Sequence, residues 1–361
     1  MAQSARVNRP RVTINDLAEK LGLTKSTVSR ALNGYSDIAP GTRVRVRKQA
    51  EAMGYRPLSH AQAIRTGRSR SIGLVLQTDL HDGYRPFLSE FLAGMTQAAG
   101  EEDWTLSIAH ADTEDAVLER FQRLISERKV DGFVLPRTKT RDKRVALLRD
   151  LEMPFILFGR TEDDANCPWF DILGEDAMAD AVMRLAHLGH RRIAHIGGQA
   201  DYYYSVLRAE GFVRGMRQAG LEHAADLIYS DAATHARGYD AARRLFALDA
   251  PPTAIVAAVD LAALGAYDAA SEAGLIVGRD VSIIGYDGSP VGAHANPPLS
   301  TFSVDSRQAG ERLAALLIRR IRGEAPESLR ELAEATFIPR GSVGPAPETN
   351  GQKKLMGGRQ K

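Results

Sequence analysis

VTINDLAEKLGLTKSTVSRALN, residues 12–33, holds two short amphipathic helices around a tight turn. Thr13 is a good N-cap, Asp16 three residues on supplies a capping-box acid, and Ile14, Leu17, Ala18 and Leu21 recur at helical spacing. Gly22 ends that helix and suits the sharp turn. Thr24 then caps a second helix whose inward face is Val28, Ala31 and Leu32, while Lys25, Ser26, Ser29, Arg30 and Asn33 point elsewhere. Pro40 at a first-turn position announces a third helix, Gly54 closes it, and Val46, Ala50 and Met53 form its buried stripe. Three such helices make a small headpiece with one polar helix free to enter a DNA groove. Any pair of short amphipathic helices resembles this pattern, so charge has to separate the readings.

Residues 1–70 hold 14 Lys and Arg against 4 Asp and Glu, whereas the rest of the 361 residues hold 33 against 41. The formal net charge of +2 therefore hides a basic head on an acidic body. Neutralising phosphates supplies most sequence-independent DNA affinity, which a basic head can do and an acidic body cannot; a merely solvated charge run is the bland alternative. The next segment, YRPLSHAQAIRTGRSR at 55–70, begins with Pro57, offers a short helix from about Ser59 to Arg65 and ends in Thr66 and Gly67. It reads as a linker that can fold.

After Ser71 the apolar runs SIGLVL, DGFVLP, PFILFG, IAHIGG, AIVAAV and VSIIGYD alternate with helical stretches, a βαβ rhythm. The runs are nearly continuous, as expected for strands of a parallel sheet buried on both faces. About 275 residues in that rhythm predict an α/β core of two doubly wound subdomains, because single cores rarely grow beyond about 250 to 300 residues. Ligands of open α/β sheets bind outside the carboxyl ends of the strands. That rule nominates Asp287, after IIGY, and Asp260, after AIVAAV, although Asp260 equally suits a structural helix start. Aromatic platforms for a ring-shaped ligand are Tyr84, Trp169 and the run Tyr202, Tyr203, Tyr204, of which at most one or two can line a cleft; Tyr204 and Trp169 are the candidates taken forward.

No Gly-x-Gly-x-x-Gly follows a strand, and there is neither a Walker loop nor a Gly-x-Ser-x-Gly elbow. The expectation is therefore a chain without cofactor or catalytic activity. His187 and His190 share a spacing that could hold a metal, but they sit in an LGH motif that closes a helix, so structural use is expected and no metal site. The single cysteine, Cys167, excludes an intramolecular disulfide and a thiolate zinc cluster and fits a reducing cytosol. No signal peptide and no membrane-length apolar stretch are found, which points to the cytoplasm without membrane contact. The tail 344–361, rich in Gly, Pro and Lys, is expected to be disordered, and it carries no leucine heptads.

TVSRALNG, then GYRP, then AQAIRTGRSRSIGLV resembles the LacI/GalR family of bacterial transcription regulators. DGFVLP at 131–136, LGHRRIAHIGG at 188–198, RAEGF at 208–212, DVSIIGYD at 280–287 and PPLST at 297–301 extend the resemblance over about residues 11–343. It implies a helix-turn-helix headpiece at 11–56, a hinge helix at 57–70 and a periplasmic-binding-protein-like core at 71–343. The core would divide into an N-subdomain (about 71–170 and 302–330) and a C-subdomain (about 171–301 and 331–343), with crossovers near Phe170, Thr301 and Arg330.

By position, the resemblance puts base reading on Lys25, Ser26 and Arg30 and phosphate contact on Thr27, Ser29 and Asn33. Arg and Lys can donate to guanine O6 and N7, whereas Ser discriminates poorly, so Arg30 should carry most specificity. Ile64 takes the place of the hinge residue that wedges the minor groove in relatives, most of which carry Leu there. Ile is apolar but β-branched and stiffer, and packing on a dimer mate is its other use. Arg208 and Asp287 match ligand-contacting positions. Elsewhere the chain departs from the pattern: Leu173 and Gly174 replace an Asp-Asn pair, Val259 replaces an Asn, and Ala232 and Ala233 stand where an aromatic is common. The resemblance thus implies a homodimeric repressor on pseudo-palindromic operator DNA, controlled by a small-molecule effector, a sugar or sugar derivative. The alternatives are a regulator answering to a protein co-effector and a sugar-binding protein without a transcriptional role.

Overall fold

A computed structural model of the chain describes residues 12–55, 67–77 and 85–348. The expected hinge helix with Ile64, and Tyr84, lie outside the described residues, as does the tail from 349. Two compact units divide the chain between Ser69 and Arg70.

The first unit is built from α1 (Ile14–Leu21), α2 (Lys25–Leu32) and α3 (Pro40–Met53). Each boundary has a local cause. The Thr13 hydroxyl accepts from the Asp16 N–H while the Asp16 carboxylate accepts from the Thr13 N–H, and Gly22 takes the left-handed conformation that ends α1. The Thr24 hydroxyl accepts from the Thr27 N–H; Pro40 opens α3 and left-handed Gly54 closes it. Leu17, Ala18, Val28, Ala31, Val46 and Ala50 meet in a small core.

The second unit contains two six-stranded sheets. The first runs in the order β11-β5-β4-β3-β1-β2, with β1 Ser71–Gln77, β2 Thr105–Ala111, β3 Gly132–Leu135, β4 Phe155–Phe158, β5 Trp169–Ile172 and β11 Arg330–Ala333. The second runs β12-β10-β9-β8-β6-β7, with β6 Ile193–Ile196, β7 Ile228–Tyr229, β8 Ala254–Ala257, β9 Ser282–Asp287, β10 Ser300–Ser303 and β12 Thr336–Ile338. All pairings are parallel except β10 with β12. Strand alternation shows why the apolar runs are unbroken: Phe133, Leu135, Phe155 and Leu157 enter the core on one face of the first sheet, and Val134 and Ile156 the core on the other.

The chain changes sheets three times. It passes from β5 into helix Gly174–His187, which packs in the second subdomain, and from β10 into helix Ser306–Ile321, which packs on the first sheet. The third crossing corrects the expected boundary. Residues 330–333 pair with Trp169–Ile172 of the first sheet, so the chain returns to the second sheet only between Ala333 and Thr336, a few residues after Arg330. The tail also starts later than expected: Gly344 accepts from Ser282 and faces the His190 ring, and the Ala346 N–H donates to Leu188.

Glycines set how closely the helices pack. A Cβ on Gly94 would lie 2.0 Å from the Arg307 carbonyl oxygen, and one on Gly310 2.2 Å from that of Phe91. Gly211 similarly lets helix Tyr203–Gln218 approach the first turn of helix Gly174–His187, where a Cβ would come within 2.1 Å of the Glu175 carbonyl oxygen. That approach sets the middle of the one helix against the start of the other. Among the described residues no helix is long and apolar enough to cross a membrane.

Candidate DNA-contact face and ligand cleft

Helix α2 turns Val28 and Ala31 inward and leaves Lys25, Ser26 and Arg30 exposed. Ser26, Ser29 or Arg30, and Asn33 follow one another at three- and four-residue steps and so share one strip of the helix surface. Two of the expected phosphate contacts already have partners: the Thr27 hydroxyl bonds the Thr24 hydroxyl at 2.9 Å, and Asn33 Nδ2 donates to the Ser29 carbonyl at 2.7 Å. Arg45 of α3 donates to the Leu21 carbonyl at the end of α1.

In the second unit, polar side chains gather at the carboxyl ends of both sheets, beyond β3, β4 and β5 of one and β6, β8 and β9 of the other. Arg160, two residues past β4, donates from Nε to Asp171 at 2.6 Å and from Nη2 to Glu175 at 2.7 Å. Burial pushes the Asp171 carboxyl up, with the Arg160 charge opposing. Arg208 donates to the Ala258 carbonyl at 2.6 Å, and its guanidinium carbon lies 3.7 Å from the Tyr286 ring centroid and 4.6 Å from that of Tyr204. The Tyr204 ring stacks on Tyr202, which Arg137 covers at 4.5 Å. Guanidinium and phenol rings thus alternate from Arg137 through Tyr202, Tyr204 and Arg208 to the buried Tyr286, an arrangement favoured by cation–π attraction.

Two segments, 137–140 and 199–203, bond to each other across the subdomains. The Thr140 N–H donates to the Asp201 carbonyl at 3.0 Å, the Tyr203 N–H to the Thr138 carbonyl at 3.1 Å, and Arg137 Nη2 to the Gln199 side chain at 3.2 Å.

Asp287, the last residue of β9, has φ of 128°, a conformation L side chains rarely adopt, and Gly288 follows at 70°. Its carboxylate is exposed yet ringed by protein walls, which push its pKa up to about 7. Arg208 opposes the shift, the Asp260 charge adds to it, and the Asp260 main-chain N–H favours the charged form. Asp260 itself is buried, accepting from the Ser289 N–H and the Thr301 hydroxyl, each at 2.6 Å. It occupies the first turn of helix Asp260–Glu272 and fastens the loop after β9 and strand β10, which is the structural use of that residue.

Trp169 does not offer the platform expected of it. Only 9% of it is exposed, it packs with Phe155, Leu157 and Cys167, and its Nε1 donates to Asp164. Its place on the strand directs it to the core face away from Phe170. The His pair does not form a metal face either: the helix ends at His187, which is exposed, while His190 is buried with Thr253 at Nδ1 and Gly344 at Nε2. Among the described residues no group of three metal-binding side chains is placed for a cation. Gly174, a departure from the expected pattern, now has a reason: a Cβ there would lie 3.0 Å from Arg208 Nε.

Arg137, Arg160, Asp171, Glu175, Ser205 and Tyr286 escaped the sequence reading. Three polar atoms among them and Arg208 are buried without a partner among the described residues, Glu175 Oε2, Ser205 Oγ and Arg208 Nε, while the Tyr286 hydroxyl is buried beside the Arg208 guanidinium. The neighbouring His195 is fully buried on Phe212, donates Nδ1–H to the Val256 carbonyl, and has its pKa lowered by burial to about 4. The unfolded chain, at the ordinary 6.5, takes up that proton first, so stability falls as the pH drops from about 6.5 toward 4. The loss is about 3 kcal/mol over the window. In His195→Asn, which keeps a donor for Val256, urea unfolding at pH 7 and pH 5 should differ less than in the wild type; an unchanged difference refutes the assignment.

Residues 13–58 match the family described as bacterial regulatory proteins, lacI family, and residues 182–343 match the periplasmic binding protein-like domain. The chain is 37% identical to the HTH-type transcriptional regulator AglR of Rhizobium meliloti (strain 1021), over 93% of this chain and 96% of that protein. It is 31% identical to the HTH-type transcriptional regulator RafR of Escherichia coli, over 92% and 98%. A solved structure of the transcriptional regulator CelR in complex with cellobiose superposes with a TM-score of 0.71 at 28% identity, covering 92% of this chain and all of that one.

Proposed function

The chain belongs to the lacI family of bacterial regulatory proteins, and from there we propose that this DNA-binding transcriptional regulator is a homodimeric repressor whose grip on operator DNA is set by a carbohydrate in the cleft between its core subdomains. The observation that carries the effector is a set of unpartnered buried atoms, Glu175 Oε2, Ser205 Oγ and Arg208 Nε. Each such atom costs about 1–3 kcal/mol when left unpaired. A sugar presents hydroxyls that both donate and accept, and so suits a set of mixed donors and acceptors. Charge narrows the class further: above pH 7, where Asp287 is ionised, Arg137, Arg160 and Arg208 stand against Asp171, Glu175 and Asp287, a balance that favours a neutral ligand over an anion. The cellobiose bound by CelR agrees with this choice.

In this reading residues 11–56 hold the operator, with Lys25, Ser26 and Arg30 at base edges and Thr27, Ser29 and Asn33 at phosphates. Residues 57–70 form the hinge with Ile64 as its wedge, and 71–343 sense the effector. The protein acts in the cytoplasm by binding rather than by catalysis. The effector favours one arrangement of the subdomains and so shifts the population away from the operator-binding form; the contacts of Thr138, Thr140 and Arg137 with Tyr203, Asp201 and Gln199 are those a subdomain movement would break.

Selection of bound duplexes from random DNA, repeated with a sugar library, tests both halves. A pseudo-palindrome should be enriched and then released by one sugar class; absence of any duplex preference, or a preference indifferent to every sugar, overturns the reading. Arg30→Ala should weaken the cognate site by about 1–3 kcal/mol and relax one base position. An unchanged selected sequence would remove Arg30 from the base-reading set.

A further inference from the structure

Arg30 is held by its own domain. The loop after α2 folds back through the Tyr35 N–H to the Arg30 carbonyl and the Ile38 N–H to the Tyr35 carbonyl, both at 3.2 Å, and Arg43 donates to the Gly34 carbonyl. This brings Tyr35 and Asp37 to the Arg30 guanidinium. Its carbon lies 5.0 Å from the Tyr35 ring centroid, and Nη2 donates to Asp37 Oδ2 at 2.5 Å. The two charged side chains remain 46% and 51% exposed. A pair so open to water contributes little to folding, yet it places one of the four acids of residues 1–70 beside the side chain expected to read a base.

We propose that Asp37 is a specificity-determining positioning residue, which fixes the pose of the Arg30 guanidinium and withholds its charge from phosphates. The proposal rests on α2 being the DNA-reading helix. A guanidinium has five donors, so a contact to one carboxylate oxygen leaves a two-donor edge open for guanine O6 and N7. Those acceptors are neutral and need not displace Asp37. A phosphate is an anion that competes with Asp37 for the same cation and repels its carboxylate. The pair therefore weakens grip on arbitrary DNA more than grip on the cognate base, and discrimination rises through repulsion of the wrong contact.

Full-length wild type, Asp37→Asn and Asp37→Glu are compared by duplex selection and by salt titration on random-sequence DNA. Asp37→Asn should bind random duplexes several-fold tighter, with a salt slope steeper by about 0.9. Its base preference at the position read by Arg30 should fall about tenfold, within the range of one bidentate contact. Asp37→Glu should restore most of both, and unfolding midpoints should stay at the wild-type value. In an Arg30→Ala background, Asp37→Asn should change that base preference no further. An Asn variant with unchanged slope and preference, a uniform loss on all duplexes, or a lowered unfolding midpoint overturns the proposal. A wild type that prefers no duplex overturns the DNA-reading assignment of α2 and the proposal with it, and that result is distinct because it appears before any substitution.

Discussion

Asp287→Ala should abolish the response to the effector and leave operator binding intact. Asp287 ends β9 in a left-handed backbone conformation, and its carboxylate feels the charge of Arg208, whose Nε is buried without a partner among the described residues. A hydrogen bond from a ligand hydroxyl to a charged acceptor contributes about 1.5–3 kcal/mol. Its loss lowers effector affinity by about 10- to 150-fold, enough to remove the response at concentrations that release the wild type. Operator binding, proposed for the other compact unit, should persist. The same carboxyl sets the pH dependence. The cleft raises its pKa to about 7, and a donating hydroxyl favours the ionised form, so effector affinity should climb as pH rises through about 7, with a proton released on binding. Asp287→Asn retains the side-chain shape and the turn but should lose this slope. Calorimetric titration at pH 6 and pH 8 reads both effects; an Asp287→Ala protein that still leaves the operator at wild-type effector levels removes Asp287 from the site.

The headpiece is legible in the sequence because its causes are local. Thr13, Asp16, Gly22, Thr24 and Gly54 act within a few residues, and each does in the structure what its type and spacing dictate. The strands are legible for a different reason: both faces are buried, so the apolar runs stand out. That continuity also hides which face a residue takes, so the sequence nominates Trp169 for the cleft although its side chain belongs to the core. Arg160, Asp171 and Glu175 carry no periodic signal. Their association depends on the end of β4, the end of β5 and the first turn of the next helix meeting in space. The Arg30–Asp37 pair spans seven residues through a folded loop, beyond any helical repeat. The last crossover was displaced because β11 is short and half-buried, with little in its composition to choose between two adjacent sheets.

Gly310→Val unfolds the first subdomain more readily than any single loss of a cleft side chain. Helices Arg85–Glu101 and Ser306–Ile321 cross at reciprocal glycines, with the missing Cβ of Gly310 replaced by the Phe91 carbonyl and that of Gly94 by the Arg307 carbonyl. At 2.2 Å from backbone oxygen, a new Cβ cannot be relieved by a side-chain rotation, and the helices must separate. Separation opens the cluster of Ile72, Leu74, Phe91, Met95, Leu313 and Leu317. Overpacking costs about 1–3 kcal/mol where neighbours can yield, so a contact with main chain should exceed about 3 kcal/mol, a large part of the roughly 5–15 kcal/mol that holds a domain. Gly100 lies on the helix of Gly94, Arg85–Glu101, with open space around its missing Cβ. There, Gly100→Ala should raise stability by about 0.5 kcal/mol, because alanine loses less backbone freedom in a helix. Urea unfolding separates the two cases: Gly310→Val at the wild-type midpoint would show that these helices do not need their close approach.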